Sequence, residues 1–171
     1  MKENLKLQTH QSILNTIKEL REDKDNYTSF YDAEPMLGID DTELEDQIME
    51  HAGRLLNDSH VKRNFKNYHA WWSIYDYGNH HCWHTHPRAV LSGSYYLNVP
   101  KDSAPIEFKS ALESLIKVWD ENSFTGSRWS QTYEIYPEPG DLLIWPSFVE
   151  HQVPEIKGSP GERCVISFNL I

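Results

Sequence analysis

The sequence predicts a mainly β domain, an antiparallel jelly roll or small barrel, preceded by two helices. Up to about residue 60, apolar residues recur at three- and four-residue steps, as on one face of a helix. Beyond that point they alternate with polar residues in short runs bounded by Gly, Pro and Asn. Strands do not alternate with helices as they do in a parallel sheet. We therefore expect a helical segment over residues 1–60 that packs on a β core over residues 61–171.

Two helices account for the N-terminal segment. The first contains Ile13, Leu14, Ile17 and Leu20, and the second contains Leu44, Ile48, Ala52, Leu55 and Leu56. Thr42 and Glu45 have the spacing of a capping box at the start of the second helix. Between the two helices, residues 27–40 contain Pro35 and Gly38 and are predicted to form a loop.

Seven β-rich runs follow, within residues 71–77, 82–86, 90–99, 105–108, 131–136, 141–145 and 164–170. Short strands at such regular intervals are typical of a jelly roll or barrel. One helix is predicted to interrupt them over residues 111–119, where Ser110 and Glu113 have capping-box spacing. Because this helix and the polar stretch after it are inserted between core strands, we expect the segment 109–130 to act as a lid or substrate-selecting loop.

Composition excludes some classes of function without indicating one. The formal net charge of −10 disfavours direct binding to nucleic acid. No apolar run reaches the roughly 20 residues of a membrane span, and the first residues lack the apolar stretch of a signal peptide. The two cysteines, Cys82 and Cys164, do not indicate a disulfide framework. A cytoplasmic location is therefore expected.

The histidines carry the strongest functional signal. Four of the nine lie within residues 80–86, and side chains at i and i+2 on a strand point the same way, so His84 and His86 can converge on one ion. A second element, residues 139–151, contains a Pro-Gly-Asp turn, an apolar run, Pro146 and then His151. In a jelly roll a neighbouring strand can bring this histidine to the pair. The sequence therefore predicts one metal ion held by His84, His86 and His151.

This two-part pattern resembles the metal motifs of cupins. The residues that match the motif spacing are Gly78, His84, His86, Gly140, Pro146 and His151. The glutamate expected after the first motif is missing, and Phe148 stands where the second motif usually has glycine.

A closer resemblance covers residues 71–169. The segment combines His-x-His-Pro, Leu-Ser-Gly-Ser-Tyr-Tyr at 91–96, a Pro-Gly turn, Pro-Ser, a distal histidine, Arg163 and Ser-Phe-Asn at 167–169. This string is similar to a group of 2-oxoglutarate/Fe(II) oxygenases often found in marine bacteria and their phages. Cupins and these oxygenases share the double-stranded β-helix, so both resemblances imply that architecture.

The oxygenase resemblance also implies a cosubstrate site. That family places a basic residue at the start of the last strand, where it binds the distal carboxylate of 2-oxoglutarate, and Arg163 stands there, 12 residues after His151. Alternation puts Val165, Ser167 and Asn169 on the same face as Arg163, and we expect this face to line the cavity. Val165 replaces the usual serine, so a hydrogen bond must come from the face shared by Ser92, Ser94 and Tyr96. The residues expected to bind 2-oxoglutarate are Arg163, Tyr96, Ser92, Ser167 and Asn169.

Position 86 departs from the oxygenase pattern, which has Asp or Glu as the second ligand. Asp76 and Asp141 are the other carboxylates considered, although neither has the motif spacing. Three hypotheses remain: an Fe(II)- and 2-oxoglutarate-dependent hydroxylase, which the resemblance favours; a cupin-like three-histidine dioxygenase without 2-oxoglutarate; or a β-helix without catalytic activity that serves binding. The substrate, whether small molecule or peptidyl residue, is left open by the sequence.

Overall fold

The computed structural model describes residues 1–22, 27–61, 65, 67–110, 132–157 and 161–171. The elements are β1 (Lys2–Asn4), α1 (His10–Glu22), α2 (Thr42–Asp58), β2 (Tyr68–Tyr75), β3 (His81–His84), β4 (Leu91–Asn98), β5 (Ile106–Lys109), β6 (Thr132–Ile135), β7 (Asp141–Pro146), β8 (His151–Val153) and β9 (Arg163–Leu170). The predicted helix over residues 111–119 and the polar stretch after it lie outside the described residues.

The strands form two antiparallel sheets. The larger has the order β1-β7-β4-β9-β2, and the smaller has the order β3-β8-β5-β6. A hydrophobic cluster joins them, with Leu143, Trp145 and Val165 from the larger sheet and Ile106 from the smaller one. The two sheets therefore enclose an interior, as the sequence predicts for a jelly roll.

Both helices pack against the outer face of the larger sheet. Ile17 of α1 and Ile48 of α2 are fully buried in one cluster with Ile166 and Phe168 of β9. Burial of each such side chain stabilises the fold by roughly 1.5–3 kcal/mol. Since alternate residues of β9 face the helices, Arg163 and its companions on the other face point between the sheets. The predicted alternation of this strand is thus confirmed. No helix in the described ranges is both long and apolar enough to cross a membrane.

The first residues of the chain form a strand that the sequence pattern does not reveal. β1 pairs with β7, with Lys2 opposite Leu143, and the α-amino group of Met1 donates to the Ile144 carbonyl at 2.8 Å. Lys2 Nζ lies 2.8 Å from the carboxylate of Asp141, which is buried at the start of β7. The N-terminal segment therefore contributes to the β core as well as supplying helices.

The predicted capping box of Thr42 and Glu45 is wrong. The N-cap of α2 is Asp41, which makes no side-chain capping bond. The carboxylate of Glu43 instead accepts the backbone N–H groups of Gln8 and Thr9, both at 3.0 Å, and these hydrogen bonds lower the pKa of Glu43. An acidic residue in the first turn of α2 thus ties this helix to the start of α1, so a tertiary contact takes the place of the local cap.

Candidate metal centre

Two short strands of the smaller sheet bring the three predicted ligands together. His84 ends β3 and His151 begins β8, and the register places these two residues directly opposite each other. His86 follows two residues later, and its backbone N–H donates to the Ser147 carbonyl at 3.0 Å. Each of the three imidazoles offers a nitrogen, and these nitrogens all lie within 4.8 Å of one another. The sequence prediction that His84, His86 and His151 converge agrees with this geometry.

Backbone carbonyls orient two of the three rings. His84 Nδ1–H donates to the Cys82 carbonyl at 2.8 Å, and His151 Nδ1–H donates to the Val149 carbonyl at 3.0 Å. Because a carbonyl oxygen only accepts, each Nδ1 carries the hydrogen and leaves Nε2 of the neutral ring with a free lone pair. His151 Nε2 lies 3.3 Å from His86 Nε2. Such converging lone pairs fit a divalent metal ion.

Burial keeps the rings neutral. Desolvation, with a smaller effect of the neighbouring imidazoles, lowers the pKa of His86 to about 4. Desolvation likewise lowers the pKa of His151 to about 3, although its bond to the Val149 carbonyl opposes this shift. Neutral imidazole is the form that binds metal. The centre is therefore ready for a cation at neutral pH.

A fourth histidine adjoins the three. The His81 ring stacks on His84 with centroids 4.1 Å apart, and its Nδ1 lies 3.4 Å from the Tyr75 hydroxyl. Strict alternation would put residues 81 and 84 on opposite faces of β3. The register of β3 against β8 shifts between them, and this irregularity brings both rings to the same side. Sequence spacing alone therefore misses His81 as part of the centre.

Neither alternative carboxylate reaches the centre. Asp76 Oδ2 lies 2.5 Å from Arg21 Nη2, and Asp141 is held by Lys2 at the far end of β7. Within the described part of the chain, His84, His86 and His151 form the only group of three or more ligand-type side chains. An imidazole thus stands where the oxygenase pattern has a carboxylate.

The metal centre opens into a cavity between the sheets that contains a buried cation. Arg163 is only 1% exposed, and among the described residues no carboxylate forms an ion pair with it. Its Nη1–H donates to the Ala104 carbonyl at 2.6 Å, and Nη2 lies 3.4 Å from the Tyr96 hydroxyl. Nε has no partner. Because an uncompensated buried charge is strongly unfavourable, this cavity fits an anion.

Other predicted cosubstrate residues divide into two groups. Tyr96 and Ser167 line the cavity, together with Ser94, whose hydroxyl lies 3.3 Å from that of Ser167. Burial raises the pKa of Tyr96, so its hydroxyl stays protonated and can donate a hydrogen bond to an anion. Ser92 instead donates to Asn169 Oδ1 at 2.8 Å, and neither of these two residues lines the cavity.

An aromatic cleft of about 380 Å³ leads from the surface to the metal centre. Its wall is formed by Tyr27, Phe30 and Tyr31 with Trp71, and its floor includes His84 and His86. Among the described residues, no carboxylate, lysine or arginine side chain lines it. A second depression extends along residues 85–90 to Ser147 and Phe148 and shares residues 85–87 with the cleft. The two surface features therefore meet at His86.

Residues 69–169 match the family model described as "Putative 2OG-Fe(II) oxygenase". The matched segment includes the three converging histidines and the buried arginine. No curated protein sequence matches the chain.

Several solved structures share the fold. A prolyl hydroxylase of Trichoplax adhaerens, solved with a hypoxia inducible factor oxygen degradation domain peptide fragment, has a TM-score of 0.67 at 12% identity, covering 100% of this chain and 82% of that one. A prolyl-4-hydroxylase of Pseudomonas putida has a TM-score of 0.60 at 18% identity, with 99% and 85% covered. A viral collagen prolyl hydroxylase of Paramecium Bursaria Chlorella virus-1, solved with 2OG, has a TM-score of 0.55 at 14% identity, with 100% and 96% covered. At such identities the likeness concerns the fold alone, which is the double-stranded β-helix.

Proposed function

Because the chain belongs to the 2OG-Fe(II) oxygenase family, whose cofactors are Fe(II) and 2-oxoglutarate, we propose that it is a hydroxylase acting on a C–H bond of its substrate. One observation carries this proposal. The cavity that adjoins the three converging histidines holds the buried guanidinium of Arg163, and no described carboxylate neutralises it. A dicarboxylate can chelate a metal with one end, and its other carboxylate then needs a cationic partner. This cavity offers a metal centre for the first end and a buried guanidinium for the second.

The two ends of the cavity have separate tasks. His84, His86 and His151 would hold Fe(II) through ring nitrogens. Arg163 would bind the distal carboxylate of 2-oxoglutarate through its free Nε–H, with the Tyr96 hydroxyl as a second donor. The Ala104 carbonyl fixes the guanidinium in place, so little ordering is needed when the anion enters.

When bound, the two cofactors supply the oxidation: O2 and 2-oxoglutarate are consumed, succinate and CO2 leave, and one oxygen atom enters the substrate C–H bond as a hydroxyl group. The protein supplies position and a dry environment. Apolar side chains of both sheets, Ile106, Leu143 and Val165 among them, surround the cavity and exclude water.

His86 alters the charge balance of this cavity. A neutral imidazole leaves the full double positive charge on the metal, whereas a carboxylate ligand would cancel part of it. With Arg163 the cavity then presents three positive charges to a dianion. The imidazole at position 86 therefore favours retention of 2-oxoglutarate, at the same coordination site where other members of the family use a carboxylate.

The substrate we propose is an extended polypeptide segment lying in the aromatic cleft. The cleft and the second depression both include His86, and Tyr31, which lines the first, and Phe148, which lines the second, are 84% and 78% exposed. A chain crossing the metal centre could contact both. Uncharged aromatic walls favour apolar or cyclic side chains over charged ones. The Trichoplax enzyme, which shares the fold, was solved with a peptide.

The test of the cofactor assignment is a titration of the anaerobic Fe(II) protein with 2-oxoglutarate, followed by the metal-to-ligand charge-transfer band expected for bidentate binding. Arg163→Ala should weaken binding by about 2–4 kcal/mol, the scale for loss of one partner of a buried charge pair. Arg163→Lys should retain only part of the affinity for 2-oxoglutarate, because lysine lacks the planar, two-pronged guanidinium group. Arg88→Ala removes an exposed charge beside the centre and should leave the affinity unchanged.

On admission of O2, the parent protein should release succinate. Absence of both the band and succinate at millimolar 2-oxoglutarate would sink the proposal and favour a three-histidine dioxygenase that does not use this cosubstrate.

A further inference from the structure

Trp145 of β7 carries a polar atom that packing does not explain. The side chain is only 7% exposed, and its indole Nε1–H has no hydrogen-bond partner in the part of the chain that the structure describes. Leaving a buried donor unpaired costs roughly 1–3 kcal/mol, and phenylalanine would fill the interior without that penalty. The ring packs edge-on against Phe108 and His151, with centroid distances of 5.1 and 4.8 Å. An indole N–H in this position requires an acceptor, and the described residues do not provide one.

Two residues that line the same cavity carry a buried donor without a partner among the described residues. They are Trp145, with Nε1, and Arg163, with Nε. The third unpaired polar atom among the described residues, Ser103 Oγ, does not line it. Two strands thus contribute to the lining of one cavity a side chain whose donor has no acceptor among the described residues. A ligand rich in oxygen acceptors would satisfy both.

The two donors belong to opposite ends of that space. Along β4, Trp145 is paired with Ser92, whereas the guanidinium of Arg163 reaches the hydroxyl of Tyr96, four residues further on. Trp145 stands at the end nearer His151, its ring neighbour, and Arg163 stands at the end remote from the metal centre. A ligand with oxygen acceptors at both of its ends, as in 2-oxoglutarate, would offer an acceptor to each donor.

We propose that the indole N–H of Trp145 donates a hydrogen bond to the keto-acid end of bound 2-oxoglutarate, while Arg163 receives the distal carboxylate. The inference rests on the proposed function and adds a cosubstrate-binding residue to it. A keto acid that chelates a metal through two oxygens still has a carboxylate oxygen available as an acceptor. A hydrogen bond to that charged group is stronger than one to a neutral acceptor. Trp145 is thereby a binding residue as well as a wall of the cavity.

Nuclear magnetic resonance of the Zn(II)-loaded parent protein tests the contact directly. The chain has six tryptophans, and the Trp145 indole resonance is assigned by triple-resonance methods, so this measurement needs no variant. Saturation with 2-oxoglutarate should move the Trp145 Nε1–H proton downfield and slow its exchange with solvent. The Trp72 resonance, from a side chain in the helix-facing cluster, should not move. A Trp145 resonance that stays in place would overturn the proposal and leave an internal water as its partner.

Affinity provides the second measurement, through the charge-transfer titration of the anaerobic Fe(II) protein. Trp145→Phe keeps the ring and removes the donor, and 2-oxoglutarate should then bind about tenfold more weakly. Trp72→Phe, the matched control, should bind it as the parent does. An unchanged affinity in a folded, metal-binding Trp145→Phe protein would contradict the inference.

Pyruvate identifies the end that Trp145 contacts, because it has the keto-acid group without a distal carboxylate. Trp145→Phe should weaken the binding of pyruvate and of 2-oxoglutarate by the same factor, whereas Arg163→Ala should weaken the binding of 2-oxoglutarate alone. If Trp145→Phe affected only 2-oxoglutarate, the indole would contact the distal end and the proposal would be wrong. Failure of the proposed function looks different, since the parent would then give no band with 2-oxoglutarate at all.

Discussion

At the scale of single residues, the metal centre depends on backbone carbonyl groups, which a side-chain substitution does not remove. The carbonyls of Cys82 and Val149 fix the tautomers of His84 and His151. Both carbonyls precede their histidine by two residues, so each short segment orients its own ring. Hydrogen bonds of this kind raise the basicity of a ligand and hold its direction. Substitution of the histidines themselves is therefore the direct way to change metal binding.

Replacement of any one of His84, His86 and His151 by alanine should abolish stoichiometric binding of Fe(II) or Co(II). The expected loss exceeds the roughly 10–100-fold that removal of a supporting partner causes, because a ligand itself disappears. Metal content after dialysis and Co(II) absorption titration measure it. His80→Ala, an exposed histidine beside the cluster, should bind metal as the parent does. Full occupancy in His151→Ala would rule out this ligand set.

His86→Asp should keep the metal and weaken 2-oxoglutarate binding. The introduced carboxylate restores the usual ligand type but opposes the dianion at close range, which we expect to cost about 1–3 kcal/mol at an effective dielectric near 20. His86→Asn, neutral and similar in size to aspartate, is the matched control and should retain more of the affinity. If His86→Ala binds iron as well as the parent, position 86 is not a ligand and the charge argument fails with it.

The residues of the centre show where sequence reasoning succeeds. His84 and His86 converge although β3 ends at His84, and a hydrogen bond from the His86 N–H to the Ser147 carbonyl holds the chain there. Arg163 faces the cavity because β9 pairs with β2 in regular register over its whole length. His81 escapes prediction because a shift of register turns it to the same side as His84. Ser92 and Asn169 satisfy each other across β4 and β9, and no pattern within one strand reveals such a cross-strand pair.

At the scale of elements, β4 is the strand that the site most depends on, because it lies between β7 and β9. Gly93, in the middle of β4, allows this strand to lie close to its two neighbours. A Cβ there would overlap the Phe168 ring and the Leu143 carbonyl oxygen. The glycine is therefore required by space, since its φ angle is ordinary. Any side chain at this position would push apart the strands that carry Trp145 and Arg163.

Gly93→Ala should destabilise the protein by at least about 1–3 kcal/mol, the range for an overpacked interior, since backbone as well as side-chain atoms would have to move. Gly53→Ala is the matched control, because a Cβ there meets nothing within 4 Å and the residue lies in α2. It should stabilise the protein by about 0.5–1 kcal/mol through helix propensity. Urea unfolding of the metal-free proteins compares them. Equal stability of the two variants would refute the spatial argument.

Most elements follow from periodicity, and the exceptions have physical reasons. The helical spacing predicts α1 and α2 because both bury one apolar face on the sheet. β1 is three polar residues, Lys-Glu-Asn, which gain their conformation from pairing with β7, more than 130 residues away in sequence. The predicted cap of α2 is wrong for a similar reason, since the carboxylate of Glu43 accepts the backbone N–H of Thr9, the residue that precedes α1.

At the scale of the whole molecule, the net charge of the chain differs in sign from the charge of the cavity that we propose for the cosubstrate. The chain carries a formal net charge of −10, yet its cavity holds Arg163 and the three converging imidazoles, and no described carboxylate, lysine or arginine lines the aromatic cleft. Surface charges are screened within about 8 Å at physiological salt. Selection of an anionic cosubstrate thus depends on the buried guanidinium and the metal, and selection of the substrate depends on the aromatic cleft.

The wall of that cleft is attached to the core. The loop that carries Tyr27, Phe30 and Tyr31 runs beside β2: Ile74 N–H donates to the Tyr27 carbonyl at 2.8 Å, and Ser29 N–H donates to the Trp72 carbonyl at 3.0 Å. Phe30 in turn packs edge-on against Trp71, with centroids 5.0 Å apart. A segment between the two helices is therefore bound to the sheet as an added edge, and it presents its aromatic rings beside the metal centre.

If this cleft binds polypeptide, a degenerate decapeptide pool should stimulate succinate release above the rate with 2-oxoglutarate alone, and a pool of free amino acids should not. Phe30→Ala and Tyr31→Ala should raise the peptide concentration needed for half-maximal stimulation about tenfold or more, since each removes an aromatic contact of the size found at binding hot spots. Their affinity for 2-oxoglutarate should not change, because neither ring lines the inner cavity.

Tyr77→Ala is the control for these variants, since Tyr77 is 67% exposed and lies outside the cleft. It should respond to the peptide pool as the parent does. Stimulation by free amino acids but not by peptides would mean that the cleft admits a small molecule. Equal stimulation of Tyr31→Ala, Phe30→Ala and the parent would place the substrate elsewhere, because a polypeptide crossing the metal centre from this side cannot avoid both rings.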